Sequence, residues 1–196
     1  MAATSRLDAV NTILASTGGS PVNTLTDGFM DVQNATAILD RVTKETLSEG
    51  LNFNTDYEQS FSVDTNGQVI LPQTTLKADG SQDYNEKFNL VQRGFKMYDR
   101  KGHSFDLRYA DPSVSEVFLD ITTELEWDEI PQIVRTFITA RSAVQYESSY
   151  QGSDSASQKL MAFEKQARVA LLQWDSESED SNFFDELYTN FTLYRG

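Results

Sequence analysis

The sequence predicts an α+β protein: a four-helix bundle built from both chain ends, an antiparallel β domain inserted between them, and an extended C-terminal arm. Three observations predict it. Residues 129–150 keep Ile130, Ile133, Val134, Phe137, Ile138 and Val144 on the rows of a 3.6-residue period, together with Arg141 and Gln145. Residues 53–123 instead break into short, alternating or β-rich runs punctuated by Gly67, Gly80, Gly94 and Gly102. The last sixteen residues follow an acidic stretch and include five aromatics. The division implied is 1–52 for the N-terminal bundle helices, 53–127 for the β domain, 128–176 for the C-terminal bundle helices and 177–196 for the arm.

Taken in order, residues 4–17 read as a first helix with Leu7, Val10, Ile13 and Leu14 as its apolar stripe, stopped by Gly18, Gly19 and Pro21. A second helix over 31–50, capped by Asp27 or Asp31, turns Val32, Ala35, Ile38, Leu39, Val42 and Leu47 inward and ends at Gly50. Neither helix buries its stripe alone, so both need the helix at 130–150 as a neighbour. Within 53–123 the spacing predicts four to six antiparallel strands, a tight turn at Asn66-Gly67 and a long polar loop over 74–86. A last strand over 117–127 leads into the central helix, which Asp128, Glu129 and Pro131 suit as an N-terminus and Gly152 ends. A fourth helix follows over 155–175 with Leu160, Phe163, Ala167, Ala170, Leu171 and Trp174 at core spacing. The aromatic end reads either as a tail folded back on its own core or as an arm that docks on another subunit. The acidic spacer before it favours the arm, with Phe183, Phe184, Leu187, Tyr188, Phe191 and Tyr194 as partner-binding anchors.

Composition excludes several functions. With no cysteine and one histidine, disulfides, thiolate metal sites and His-rich metal sites have no ligands. No apolar run reaches the ~18 residues of a membrane span, and the N-terminus lacks the order of a secretory signal, so a soluble protein made without export is expected. The net charge is −14, with seven acids and no base over 111–130 and six acids and no base over 175–186. Residues 51–110 are near balance, with eight acids and seven bases, and no cluster of Lys or Arg is expected to neutralise nucleic-acid phosphates. The acidic runs serve solubility, or form a surface past which DNA moves without sticking.

Catalytic sets are sparse. His103 lies in a hairpin turn, no G-x-S-x-G elbow accompanies it, and phosphate-loop and dinucleotide fingerprints are missing. Glu124, Glu126, Asp128 and Glu129 are the one carboxylate group able to supply a glycosidase pair, and Asp128 and Glu129 already have a helix-start role.

Four patches carry a family resemblance: LDAVNTILASTGGSPVNTL at 7–25, NATAILDRVTKETLSEGLNFNTD at 34–56, RGFKMYDR at 93–100 and WDEIPQIVRTFITARSAVQYESSYQG at 127–152. In this order and spacing the chain resembles tail tubular protein A, the head–tail adaptor (gatekeeper) family of short-tailed phages. Leu51 departs from it, because relatives usually carry Trp there. The resemblance implies a virion tail protein, assembled in the host cytoplasm, that forms a ring of twelve copies. That ring would sit between the dodecameric portal and the tail nozzle protein, tail tubular protein B in type, with DNA only in transit through its lumen and no membrane contact. It implies no enzyme activity, metal or cofactor. The alternative is a tail-associated peptidoglycan or polysaccharide hydrolase.

Overall fold

The computed structural model describes residues 3–26, 29–81, 87–150 and 154–193. It has four α-helices: α1 (Arg6–Ala15), α2 (Met30–Leu47), α3 (Gln132–Tyr150) and α4 (Asp154–Leu193). The five strands are β1 (Thr55–Ser62), β2 (Thr75–Gly80), β3 (Leu90–Arg93), β4 (Lys96–Asp99) and β5 (Glu116–Thr123). The chain divides into a helical unit, Met1–Thr46 with Glu126–Gly196, and a β unit, Leu47–Leu125.

In the helical unit, α1 starts with a reciprocal cap: the Asp8 N–H donates to the Ser5 hydroxyl, and the Asp8 carboxylate accepts the Ser5 N–H, each at 3.1 Å. It buries Ala9, Val10, Ile13 and Leu14, and α2 buries Val32, Ala35, Leu39 and Val42. The partner of both is α3. Helix α1 packs on it, α4 packs on it, and α2 reaches it through Arg41 to Gln145 at 2.9 Å and through Glu45 to Arg141 at 3.7 Å. Contact with three helices explains why α3 is buried nearly all round, over Val134, Phe137, Ile138, Ala140, Ala143 and Tyr146.

Several boundaries differ from the sequence expectation. The central helix begins at Gln132, not Glu129, because residues Trp127–Glu129 form a separate 3-10 turn and Pro131 offers its carbonyl to Val134 and Arg135 N–H groups, both at 3.0 Å. The strand expected over 117–127 stops at Thr123 for the same reason. Helix α2 ends at Leu47, three residues short, with Gly50 at φ +78° beyond it. The stop expected at Gly152 and the cap at Asp27 lie outside the described residues.

The largest difference is α4. The helix expected over 155–175 runs on to Leu193, through the acidic spacer and through what the sequence predicts as an extended arm. No Gly or Pro occurs between Asp154 and Leu193, so nothing in the chain breaks the helix once it has started. Forty residues at ~1.5 Å each give about 60 Å of rod. Its first half packs with Ala167 and Leu171 inward, whereas Phe163, a core residue by spacing, is 51% exposed.

The β unit is one antiparallel sheet in the order β1-β5-β2-β3-β4. One face is closed over Val69, Leu71, Ala78, Leu90, Met97, Leu107, Val117, Leu119 and Ile121. The polar loop predicted over 74–86 is largely strand β2. A register shift between Thr75 and Lys77 breaks the alternation that would have revealed it, and residues 82–86 lie outside the described residues. Residues 68–72 form no strand of their own. They lie along β4 through one bridge, Ile70 to Lys96, with the Met97 N–H donating to the Val69 carbonyl at 3.2 Å. The Asn66-Gly67 turn forms as the spacing predicts, with Gly67 at φ +77° and its N–H donating to the Asp64 carbonyl at 2.9 Å.

Strand β1 bulges between Asp56 and Gln59, and Glu58 there takes φ +54°, with its N–H donating to Asp120 Oδ1 at 3.0 Å. A left-handed backbone costs a side chain with a Cβ about 1 kcal/mol. Glu58→Gly is therefore expected to raise stability by up to about 1 kcal/mol, and Glu58→Val to lower it by at least as much. Urea midpoints of the two variants check this, and equal midpoints would refute it.

Candidate assembly surfaces

The carboxylates considered for catalysis are tied into local structure. Glu126 caps the Trp127–Glu129 turn, and its N–H donates to the Glu129 carboxylate at 3.0 Å. The Asp128 carbonyl accepts from Arg135 Nη2 at 2.7 Å, and its carboxylate side chain is 93% exposed. The Glu124 N–H donates to the Thr74 carbonyl at 2.8 Å, within the β unit. His103 sits exposed at φ +54° in the turn after β4.

Two buried polar residues were not singled out by the sequence reading. Arg135 donates Nε to the Ile130 carbonyl at 2.6 Å, Nη1 to the Thr4 carbonyl at 3.0 Å and Nη2 to the Asp128 carbonyl at 2.7 Å. Trp127 Nε1 donates to the same Thr4 carbonyl at 3.0 Å. In the β unit, the Asp99 carboxylate accepts from the N–H groups of Asn89, Lys101 and Gly102 and from the Tyr109 hydroxyl. Arg135 carried no signal of its own, because it lies off the apolar row of α3, beside Gln132 and Thr139. Asp99 carried none, because its donors come from separate turns.

The first candidate surface is α4. Met161, Val169 and Leu172 are exposed along its first half. Of the anchors named from the sequence, Phe183, Phe184, Leu187, Tyr188 and Phe191 lie within the helix, and Tyr194 lies outside the described residues. In a helix, positions 183, 187 and 191 recur every four residues, as do 184 and 188, so the aromatic end has the spacing of a single stripe.

The second is the β unit, where a basic run of the sequence forms one hairpin and acids distant in sequence come together on other strands. Lys87, Arg93, Lys96, Arg100 and Lys101 fall on or beside the β3–β4 hairpin, and the one acid among them, Asp99, is buried. The expectation that bases are not clustered is thus corrected: near balance over 51–110 hides a basic hairpin. Lys87 is neutralised by Asp111 at 2.6 Å. Arg93 stacks over the Tyr98 ring at 3.5 Å, Lys96 donates to Gln68 Oε1 at 2.8 Å, and Arg100 lines an open depression of about 440 Å³ with Phe88, Asn89 and Lys101. Toward the opposite edge, Asp56 and Glu58 on β1 adjoin Asp120 on β5, and Asp120 faces Asp79 on β2; Glu116 lies at the other end of β5, opposite Ser62. Among the described residues no helix is long and apolar enough to cross a membrane.

A family model described as Tail tubular protein matches residues 7–181, from α1 well into α4. No curated protein matches the chain.

Proposed function

We propose, from the premise that this chain belongs to the tail tubular protein family and is a structural protein of the phage virion tail, that it is the adaptor ring between portal and tail nozzle. The family match over 7–181 is the observation that carries the reading. Twelve copies would join head to tail, so that each presents two different surfaces to its neighbours. The helices would act as a bundle stacked around the ring, and the β unit would face the nozzle. DNA would pass only in transit through the lumen, where a chain of net charge −14 repels phosphate instead of retaining it.

The end of α4 is the arm in this reading, as a helix with Phe183, Phe184, Leu187, Tyr188 and Phe191, together with Tyr194 outside the described residues, as anchors on the portal or a neighbouring copy. Aromatic anchors suit such a contact because each buries a large area with few rotamers to freeze. The first half of α4 packs on α3 independently of this end, so removing residues 181–196 is expected to leave a folded chain.

Native mass spectrometry tests both statements. The full chain is expected to form a twelve-copy layer on the purified portal, and the chain lacking 181–196 is expected to keep its helical circular dichroism but not to join. A full chain that never binds the portal overturns the adaptor reading. A truncated chain that binds at undiminished occupancy overturns the arm.

A further inference from the structure

We infer that the β unit carries a heterologous self-contact, in which the basic β3–β4 hairpin of one copy docks on the acidic β1–β5 edge of the next. This rests on the ring reading and names the surfaces that close it. The hairpin side consists of Arg93, Lys96 and Arg100, and the edge side of Asp56 and Glu58.

Charge is the first argument. Copies that each carry −14 repel one another, so self-association needs a place where cations are presented. Five bases in the fifteen residues 87–101 are the densest run in the chain, and Arg93, Lys96 and Arg100 among them take part in no described ion pair. Asp56 and Glu58 are exposed and take part in no described ion pair, and the half-buried Asp120 beside them accepts the Glu58 N–H at 3.0 Å, which leaves the negative charge of the edge in place.

Geometry is the second. In the order β1-β5-β2-β3-β4, Asp56 and Glu58 on β1 stand four strand spacings from Lys96 on β4. At ~4.8 Å per strand that is about 19 Å, beyond the ~8 Å screening length of physiological salt, so the fields do not cancel within a copy. A two-fold contact through either edge sets like charge against like. Only a head-to-tail contact sets acid against base, and that is the contact an open-ended or ring assembly repeats.

The surfaces also have the apolar parts a contact needs. Ile70 and Phe95 are each about half exposed beside Lys96, joined to it by the Ile70 bridge and by the Leu71 N–H donating to the Phe95 carbonyl at 2.9 Å. Tyr57 is exposed on β1 between Asp56 and Glu58. The contact is made by side chains and not by sheet extension. Residues 69–71 already cover β4, and the β1 bulge with Glu58 at φ +54° keeps that edge from presenting a flat template.

The test uses full-length chains. Arg93→Glu with Lys96→Glu makes both fields acidic; Asp56→Lys with Glu58→Lys makes both basic. Each double variant alone is expected to lose at least about tenfold in layer occupancy on the portal by native mass spectrometry, with circular dichroism unchanged. Their equimolar mixture is expected to restore the layer with both masses in equal number, since the copies then alternate. Variants that assemble like the wild type overturn the contact, as does a mixture of folded variants that stays unassembled. If the hairpin variant assembles normally but loses DNA retained on a filter by the wild type, the hairpin is a nucleic-acid contact and the inference fails. A wild-type chain that forms no layer at all is a different result, and it removes the ring reading first.

Discussion

Replacing Asp99 by alanine is expected to unfold the β unit, with a loss of about 3–5 kcal/mol. The carboxylate sits at the start of the turn after β4 and takes N–H donors from Asn89 at 2.6 Å, Lys101 at 3.1 Å and Gly102 at 2.8 Å, as well as the Tyr109 hydroxyl. Alanine leaves these donors without their shared acceptor. Gly102 packs against the Tyr109 ring, which occupies the place a Cβ on residue 102 would take. Urea unfolding of the full chain checks this, with amide exchange over 89–109 reporting the β unit and exchange in α3 reporting the helical unit. Protection over 89–109 equal to that of the wild type would sink the assignment.

The same carboxylate sets a pH dependence. Burial works against its charge, yet the Tyr109 hydroxyl and the three backbone donors outweigh burial and hold its pKa below the ordinary 3.8. Its stabilisation is therefore complete above the unfolded value and is lost as pH falls through the lower folded one. Tyr109 has the opposite sign: the hydrogen bond to Asp99, then desolvation and the Asp99 charge, push its pKa from 10.0 up to about 12. Its contribution is complete below pH 10 and is lost as pH rises toward about 12. Asp99→Asn is expected to flatten both limbs.

Arg135→Ala is expected to cost the helical unit about 3–4 kcal/mol, the larger part from the Ile130 and Asp128 carbonyls, which lose this donor while the Thr4 carbonyl keeps Trp127. Arg135 is 5% exposed and ties together Thr4 before α1, Asp128 in the 3-10 turn and Ile130 before α3. Its guanidinium also lies 5.8 Å from the Trp127 ring centroid. Lysine has a single nitrogen head and does not span three carbonyls, so Arg135→Lys is expected to recover less than half of the loss. Thermal unfolding followed at 222 nm reads the loss, and amide exchange in the first turn of α1 reads the release of Thr4. A lysine variant with wild-type stability and unchanged exchange at Ser5–Asp8 would show that the fork geometry is irrelevant.

How much of this was legible beforehand depends on the distance over which each signal acts. The stripes of α1, α2 and α3 were readable because helical periodicity is a local property, and the buried residues Val10, Ile13, Leu39, Phe137 and Ile138 are those the spacing marks. The Asn66-Gly67 turn was readable for the same reason. The helical continuation of α4 was also present in the sequence, in the lack of Gly and Pro and in the spacing of Phe183, Leu187 and Phe191; the acidic run was read as a linker because composition was weighed above periodicity. Strand β2 was hidden by its register shift.

By itself, then, the sequence determined the α+β class, the family, the helix stripes and the acidic character of the chain, all of which follow from residue order over a few turns or from composition. Tertiary structure alone decided which charges become neighbours. Asp56 and Glu58 meet Asp120 only because β1 pairs with β5 across some sixty residues, and the basic hairpin reaches the other side of the sheet only because β2 and β3 follow β5 in it. Strand pairing is settled by burial of one sheet face over a shared core, a non-local condition that no window of sequence contains. The Thr4–Arg135 knot and the Asp99 donors arise in the same way, from segments that come together only once that core has closed.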